Sequence, residues 1–321
     1  MNGASDLGLD AASPIPAVSL KDYDTDFDDF SRRLGQSFER FGFAIVADHD
    51  LPGDLIEGCL TRAKAFFALP EAVKRRYAIP GGGGQRGYTP FGVETAKGAD
   101  LKDLKEFWHV GRELAPGHRY GAMIAPNVWP DEIEGFQDYA RGLYAGLDAL
   151  GLRLLRAIAR RLGLDDDFFA PTVKDSDSIL RLLHYPPLPA GAEGLRAGPH
   201  EDINAITLLL GAEEAGLQIQ DRDGRWLAVN PPAGSVVVNI GDMLQRLTND
   251  QLPSTTHRVV NPGADRRGVA RYSTPFFLHF APDYRIETLA GCITPDRPNR
   301  YPRPITSRDF LLERLREIKL V

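Results

Sequence analysis

The chain has 321 residues, of which 43% are hydrophobic and 26% charged, with a formal net charge of −6 at pH 7. It is long enough to bury a substantial core and has an ordinary globular composition, while the acidic balance gives no support to nucleic-acid or anionic-membrane binding. The only two cysteines, Cys59 and Cys292, stand at no metal-site spacing, which argues against a disulfide framework or a zinc–thiolate site and for a reducing cytoplasm.

Residues 1–13 are small and polar, lack the basic start and apolar run of a signal peptide, and read as a disordered tail. No window is long and apolar enough for a membrane span. Residues 15–20 read as a short strand, and Phe27, Phe30, Leu34 and Phe38 at helical spacing predict a core-facing helix over 25–40. A strand at 43–46 follows. His49 has no acidic residue or second histidine at ligand spacing and reads as a structural loop residue. Residues 53–67 and 70–77 read as two helices separated at Pro70. The glycine run at 81–84 lacks the Lys-Ser/Thr of a phosphate loop and reads as a flexible connection. Beyond it, Arg86, Tyr88 and Glu94 are polar loop residues and candidate members of a substrate pocket.

From 131 to 164 a helical pattern through Ile133, Phe136, Tyr144, Leu147, Leu150, Leu154 and Ile158 predicts a long support helix across a sheet, with Gly151 as its expected break point. After it the period changes from 3.6 to 2. Short β-rich runs occupy 178–185, 205–210, 217–220, 226–229, 235–240, 255–260, 269–280 and 284–289, separated by Gly, Pro and Asp turns. Such a series indicates a sandwich or jelly roll, so the expected fold class is mainly β with flanking helices, α+β. Without an internal repeat or a linker, residues 14–321 are expected to form one domain: a supporting region to about 170, a β core over about 175–290 and a C-terminal helix over 305–321.

The stretch most able to carry chemistry is Gly198-Pro199-His200-Glu201-Asp202. Residues i and i+2 of an extended strand share a face, so His200 and Asp202 can offer an imidazole nitrogen and a carboxylate oxygen to one metal ion, with Glu201 pointing away. One His-x-Asp among seven histidines is weak by itself. His257, in the β-branched run 254–260, can supply a third ligand, and two histidines with one carboxylate leave the positions opposite them open, the arrangement of non-haem Fe(II) oxygenases. Fourteen residues later Arg271 and Ser273 share a strand face, and a guanidinium beside a hydroxyl suits a carboxylate. Phe276 and Phe277 alternate faces, so one at most faces a pocket. Asn239 and Asp242 read as turn residues, and His184 and His279 as structural.

The segments HEDINAITLLL at 200–210, VNIGDMLQRLTND at 238–250, STTHRVVNP at 254–262 and RYSTPFFLHF at 271–280 together resemble the isopenicillin-N-synthase-like family of Fe(II)- and 2-oxoglutarate-dependent oxygenases. The resemblance continues upstream in IPAVSL at 15–20, FGFAIVADH at 41–49 and RGYTPFG at 86–92, and so covers nearly the whole chain. It implies a double-stranded β-helix core in which His200, Asp202 and His257 ligate Fe(II). It also implies that Arg271 and Ser273, with Tyr185 of the Tyr-Pro pair, bind 2-oxoglutarate, and that Phe277, Arg86, Tyr88 and Glu94 face a small-molecule substrate. The implied reaction uses O2, converts 2-oxoglutarate to succinate and CO2, and hydroxylates or desaturates the substrate. Family members that use no 2-oxoglutarate keep the triad and an Arg-x-Ser, so Arg271 and Ser273 mark a carboxylate without saying whose. An oxidase without 2-oxoglutarate, an enzyme that fragments 2-oxoglutarate and a non-catalytic jelly-roll binding protein stay as alternatives. Two departures, Asp250 after Thr248-Asn249 and Asp50 after His49, leave the ligand set untouched and the subfamily open.

Overall fold

Strand β1 (Ala17–Ser19) leads into helices α1 (Lys21–Thr25) and α2 (Phe27–Phe41), where one helix was expected over 25–40. The division falls at Asp26, whose carboxylate accepts the backbone N–H of Asp29 at 3.0 Å and so caps a new helix. α2 stops at Gly42 (φ +67°), where a Cβ would lie 2.5 Å from the Pro253 carbonyl, so only glycine turns the chain directly into β2 (Phe43–Ala47). Helices α3 (Gly53–Phe67) and α4 (Glu71–Lys74) flank Pro70 as expected. The computed structural model describes residues 13–93, 103–188, 195–210, 216–262 and 268–317, so Glu94 lies outside the described residues.

Strands β3 (Gly87–Thr89) and β4 (Glu106–Gly111) come next. Neither shows sequence alternation, because every residue of both is buried, polar ones included. Helix α5 (Phe136–Arg161) runs for 26 residues without the break expected at Gly151. Gly151 instead gives the Leu278 side chain room against the helix, so its role is close approach rather than interruption. Helix α6 (Ala170–Val173) precedes β5 (Ile179–Tyr185), β6 (Ala197–His200), β7 (Ile206–Leu210), β8 (Leu217–Gln220), β9 (Trp226–Ala228) and β10 (Val236–Ile240). Helix α7 (Asp242–Leu247) starts where a turn was expected at Asn239-Ile240-Gly241-Asp242. The chain ends with β11 (His257–Val259), β12 (Arg271–Leu278), β13 (Arg285–Ile286), β14 (Ile305–Thr306) and α8 (Ser307–Glu317).

An eight-stranded sheet in the order β1-β2-β10-β7-β12-β5-β4-β3 faces a four-stranded sheet, β6-β11-β8-β9. The α+β class with a β-sandwich core is therefore the one expected. Strand alternation divides the large sheet into two functions. Trp108, Leu180, Leu182, Leu208, Val238, Phe276 and Leu278 join α2, α3 and α5 in the main core. Their neighbours in sequence, including Phe107, Leu183, Tyr185, Thr207, Asn239, Arg271 and Ser273, occupy the other face, toward the small sheet. Phe43, Ile45 and Val237 pack there against Leu217, Ile219 and Val229, which ties the sheets together at one end and leaves a cavity at the other. Among the described residues no helix is long and apolar enough to cross a membrane.

One polar cluster sits on the helix face. Glu106 accepts from Lys74 Nζ at 2.7 Å, from Tyr88, and from His184 Nδ1 at 2.7 Å, with both ends of the Lys74–Glu106 pair buried. His184 stacks on Tyr272 and Phe67 there, which fits its expected structural role. Burial alone would raise the Glu106 pKa, but the His184, Lys74 and Tyr88 hydrogen bonds outweigh it and hold the carboxyl below its ordinary value. A depressed folded pKa stabilises above the unfolded carboxyl value, about 4.3, and that contribution is lost as pH falls through the folded value. We expect Glu106→Gln, which leaves buried Lys74 with only the half-exposed Glu71 carboxylate at 3.3 Å, to cost about 1–3 kcal/mol in chemical denaturation at pH 7. Its stability should also fall less than that of the wild type between pH 6 and acid. An unchanged acid limb would remove Glu106 from the account.

Candidate metal centre and its cavity

β11 pairs antiparallel with β6 and sets His257 directly opposite His200. Asp202 lies two residues past the end of β6, and one oxygen of its carboxylate is 3.8 Å from Nε2 of each histidine. One donor atom from each of the three residues lies within 4.8 Å of the others, close enough to share one ion. Both rings are held in the tautomer a metal needs. His200 Nδ1 donates to the Gly198 carbonyl at 2.8 Å and His257 Nδ1 to the Thr255 carbonyl at 3.0 Å, which leaves each Nε2 lone pair facing Asp202.

The carboxylate is fixed from behind by the large sheet. Asn239 Nδ2 donates to Asp202 Oδ2 at 2.8 Å and the Thr207 hydroxyl donates to the same oxygen, while Asn239 and Thr207 are register partners on β10 and β7. Burial would raise the Asp202 pKa, yet His257, His200, Asn239 and Thr207 together hold it below the ordinary carboxylate range, so the group is anionic. Desolvation, with His257 beside it, pushes His200 down to about 4, so its imidazole is neutral at pH 7. Two imidazoles and one carboxylate make a donor set suited to Fe(II). Thr207 and Asn239 were not anticipated here: Asn239 reads as a turn residue in sequence, and only its distance from Asp202 in space gives it this role.

A cavity of about 600 Å³ opens beside the triad. Its wall includes His200 and Asp202, Phe107 and His109 of β4, Arg181 of β5 and Phe277 of β12. The Arg181 guanidinium lies 4.1 Å from the Phe107 ring centroid and 5.2 Å from that of Phe277, and donates to His109 Nε2 at 2.7 Å. Phe277 thus borders the cavity while Phe276 is fully buried in the core, as alternation requires. Arg181 was legible in principle, since it shares a face with Tyr185 by the same period of two.

Arg86 and Tyr88 also border the cavity, but their polar groups are engaged elsewhere. Arg86 directs its three guanidinium nitrogens to the Ala125 carbonyl, the Gln85 carbonyl and Asp177. Tyr88 packs against Phe66 and gives its hydroxyl to Glu106. Arg271, Ser273 and Tyr185 come together as the sequence suggests. Arg271 pairs with Tyr185 in register, its guanidinium is 5.1 Å from the tyrosine ring centroid, and its Nη1 is 3.3 Å from Ser273 Oγ. All three are buried.

Replacing Asn239 with Ala should weaken divalent-metal affinity about 10–100-fold in calorimetric titration with Mn(II), with the fold retained, because Asp202 loses a donor that orients it. Unchanged affinity would assign the orientation to Thr207 alone.

Comparison with known proteins agrees with this geometry. Residues 15–132 match the N-terminal family described as non-haem dioxygenase in morphine synthesis, and residues 176–280 match the 2OG-Fe(II) oxygenase superfamily. A 2-oxoglutarate-Fe(II) type oxidoreductase of Aspergillus fumigatus is 35% identical over 285 residues, which cover 86% of this chain and 83% of that protein. A proline hydroxylase of Petromyces alliaceus is 34% identical over 89% of this chain and 92% of its own length. Among solved structures, a 2OG-Fe(II) oxygenase family protein from Caulobacter crescentus is 60% identical, with a TM-score of 0.90, covering 96% of this chain and 100% of that one. A full-length Neurospora crassa protein solved in complex with alpha-KG and thymine is 30% identical, with a TM-score of 0.83, covering 94% of this chain and 96% of that one. The fold, the convergent His–Asp–His donors and these matches place the chain in one family: it belongs to the 2OG-Fe(II) oxygenase superfamily.

Proposed function

We propose that His200, Asp202 and His257 hold Fe(II), that Arg271, Ser273 and Tyr185 hold the distal carboxylate of 2-oxoglutarate, and that a small molecule is oxidised in the adjoining cavity. The observation that carries the reading is the convergence of the three donors, with both imidazole Nε2 atoms and the Asp202 carboxylate turned toward one point. Bound there with 2-oxoglutarate and O2, Fe(II) supplies the oxidising chemistry that converts 2-oxoglutarate to succinate and CO2 and oxidises the substrate. The protein's own part is positioning. Asn239 and Thr207 keep Asp202 anionic and aimed, and the two backbone carbonyls keep the imidazoles in one tautomer.

Burial pulls the Arg271 pKa down, but nearby Tyr185 opposes this and the guanidinium stays cationic at neutral pH. A buried cation beside a serine hydroxyl is a receptor for one carboxylate. The cavity suits a small molecule in volume, and Arg181 clasped by Phe107 and Phe277 gives it a flat, polar wall. The Neurospora crassa relative is solved with thymine and another relative is a proline hydroxylase, which supports a small polar substrate here as well. The same reading takes 14–321 as one oxygenase domain, because β1 and β2 are hydrogen-bonded into the sheet that carries Arg271. Both cysteines are free and buried, in keeping with a reducing cytoplasm as the compartment.

The test is succinate formation by the Fe(II)-loaded protein given 2-oxoglutarate and O2. Slow uncoupled turnover is expected from the wild type, and none above background from His200→Ala or Asp202→Ala, each still folded by circular dichroism but without stoichiometric iron. Arg271→Leu should raise the KM for 2-oxoglutarate at least about 30-fold, the equivalent of losing one buried charged contact. Full iron occupancy in either ligand variant would contradict the assignment.

A further inference from the structure

Arg196 stands four residues before His200, immediately ahead of β6, and is completely shielded from solvent. Its Nη2 donates to the Val269 carbonyl at 3.0 Å, but Nε and Nη1 have no hydrogen-bond partner among the described residues. Its guanidinium is 5.9 Å from the centroid of the Tyr185 ring, the same ring that has Arg271 at 5.1 Å. Two buried cations therefore share one tyrosine. Burial, and then Arg271, pull the Arg196 pKa down to about 10, with Tyr185 opposing, so the side chain remains charged at pH 7, and among the described residues no carboxylate acts on it.

Such an arrangement is costly in the unliganded protein. A buried charge with no counter-ion among the described residues, next to a like charge and with two unsatisfied donors, destabilises the fold, and a hydrophobic side chain of similar volume would be better tolerated. The cost becomes intelligible if an anion completes the site. A carboxylate's charge can be shared by two guanidiniums, and the Tyr185 ring beside both Arg271 and Arg196 puts the two cations next to the same group. We propose that Arg196 is a second cationic binding residue for the distal carboxylate of 2-oxoglutarate, engaging it through Nε and Nη1. The inference rests on the reading that Arg271 holds that carboxylate, and adds a residue outside the Arg-x-Ser pair. It makes the site selective for a 2-oxo diacid over a 2-oxo monoacid of the same length.

The experiment uses full-length protein loaded with Mn(II), and measures the Kd of 2-oxoglutarate and of 2-oxopentanoate, which lacks the distal carboxylate, together with the unliganded Tm. In Arg196→Met, 2-oxoglutarate should bind at least about 10-fold more weakly while 2-oxopentanoate binding is unchanged. The unliganded Tm should stay the same or rise, whereas a merely structural arginine would lower it. Arg196→Lys, which keeps the charge, should recover part of the 2-oxoglutarate affinity. A wild type that prefers the diacid beside an Arg196→Met protein that keeps the same preference would overturn the role of Arg196 and leave the Arg271 reading intact. A wild type that binds both acids alike would overturn the Arg271 reading and this inference with it. Failure of Arg196→Met to fold, or equal weakening of both ligands, would also overturn it.

Discussion

The placement of one carboxylate, that of Asp202, is the constraint from which the rest of the site follows. It is buried, it lies 3.8 Å from the Nε2 of each histidine, and it is tied by Asn239 and Thr207 to the opposite sheet. His200 and His257 belong to the small sheet, whereas Asn239 and Thr207 belong to the large one. Asp202 is therefore a polar contact between two sheets otherwise joined by Phe43, Ile45, Val237 and their apolar partners. An error in the packing of the sandwich would be felt at the metal site as a misplaced ligand, because a displacement of about 0.5 Å is already significant for a preorganised set of ligands.

The large sheet does two jobs through strand alternation. Its helix-side residues bury against α2, α3 and α5, while the residues between them face the small sheet, and Phe107, His109, Arg181 and Phe277 among them line the cavity. On β12 this places Arg271, Ser273 and Phe277 on the site face and Phe276 and Leu278 in the core. The close seat of Leu278 against Gly151 sets that strand directly on the long helix. Site residues carried by packed strands are held more precisely than residues on loops.

The His–Asp–His set was legible because its signal is local: an i, i+2 pair on an extended segment and a third histidine in a β-branched run. Arg271 with Ser273 and the choice between Phe276 and Phe277 follow from the same period of two. The roles of Asn239 and Thr207 were not legible, since Asn before Ile-Gly-Asp reads as a turn and its partner Asp202 is 37 residues away. β4 escaped notice because its buried polar residues conceal any alternation, and Glu106 finds its partners 32 and 78 residues away in sequence. The continuity of α5 through Gly151 is a tertiary effect, set by Leu278. For Arg86 and Tyr88, their place on a polar loop within the resembling segment suggested the pocket, and spacing could not reveal that Asp177 and Glu106 would claim their polar groups. Arg196 carries no sequence signal, because a lone arginine before a strand looks like any exposed one.

We propose that one set of side chains brings Fe(II) and 2-oxoglutarate together, with the metal at the triad and the distal carboxylate at Arg271. The most direct measurement is the visible absorption of the Fe(II)-loaded protein as 2-oxoglutarate is added without O2. A metal-to-ligand charge-transfer band that saturates at one equivalent is expected, and it should need a much higher 2-oxoglutarate concentration in Arg271→Leu. Iron binding at one equivalent with no band at any concentration would contradict it, and would give the Arg271 site to a different carboxylate.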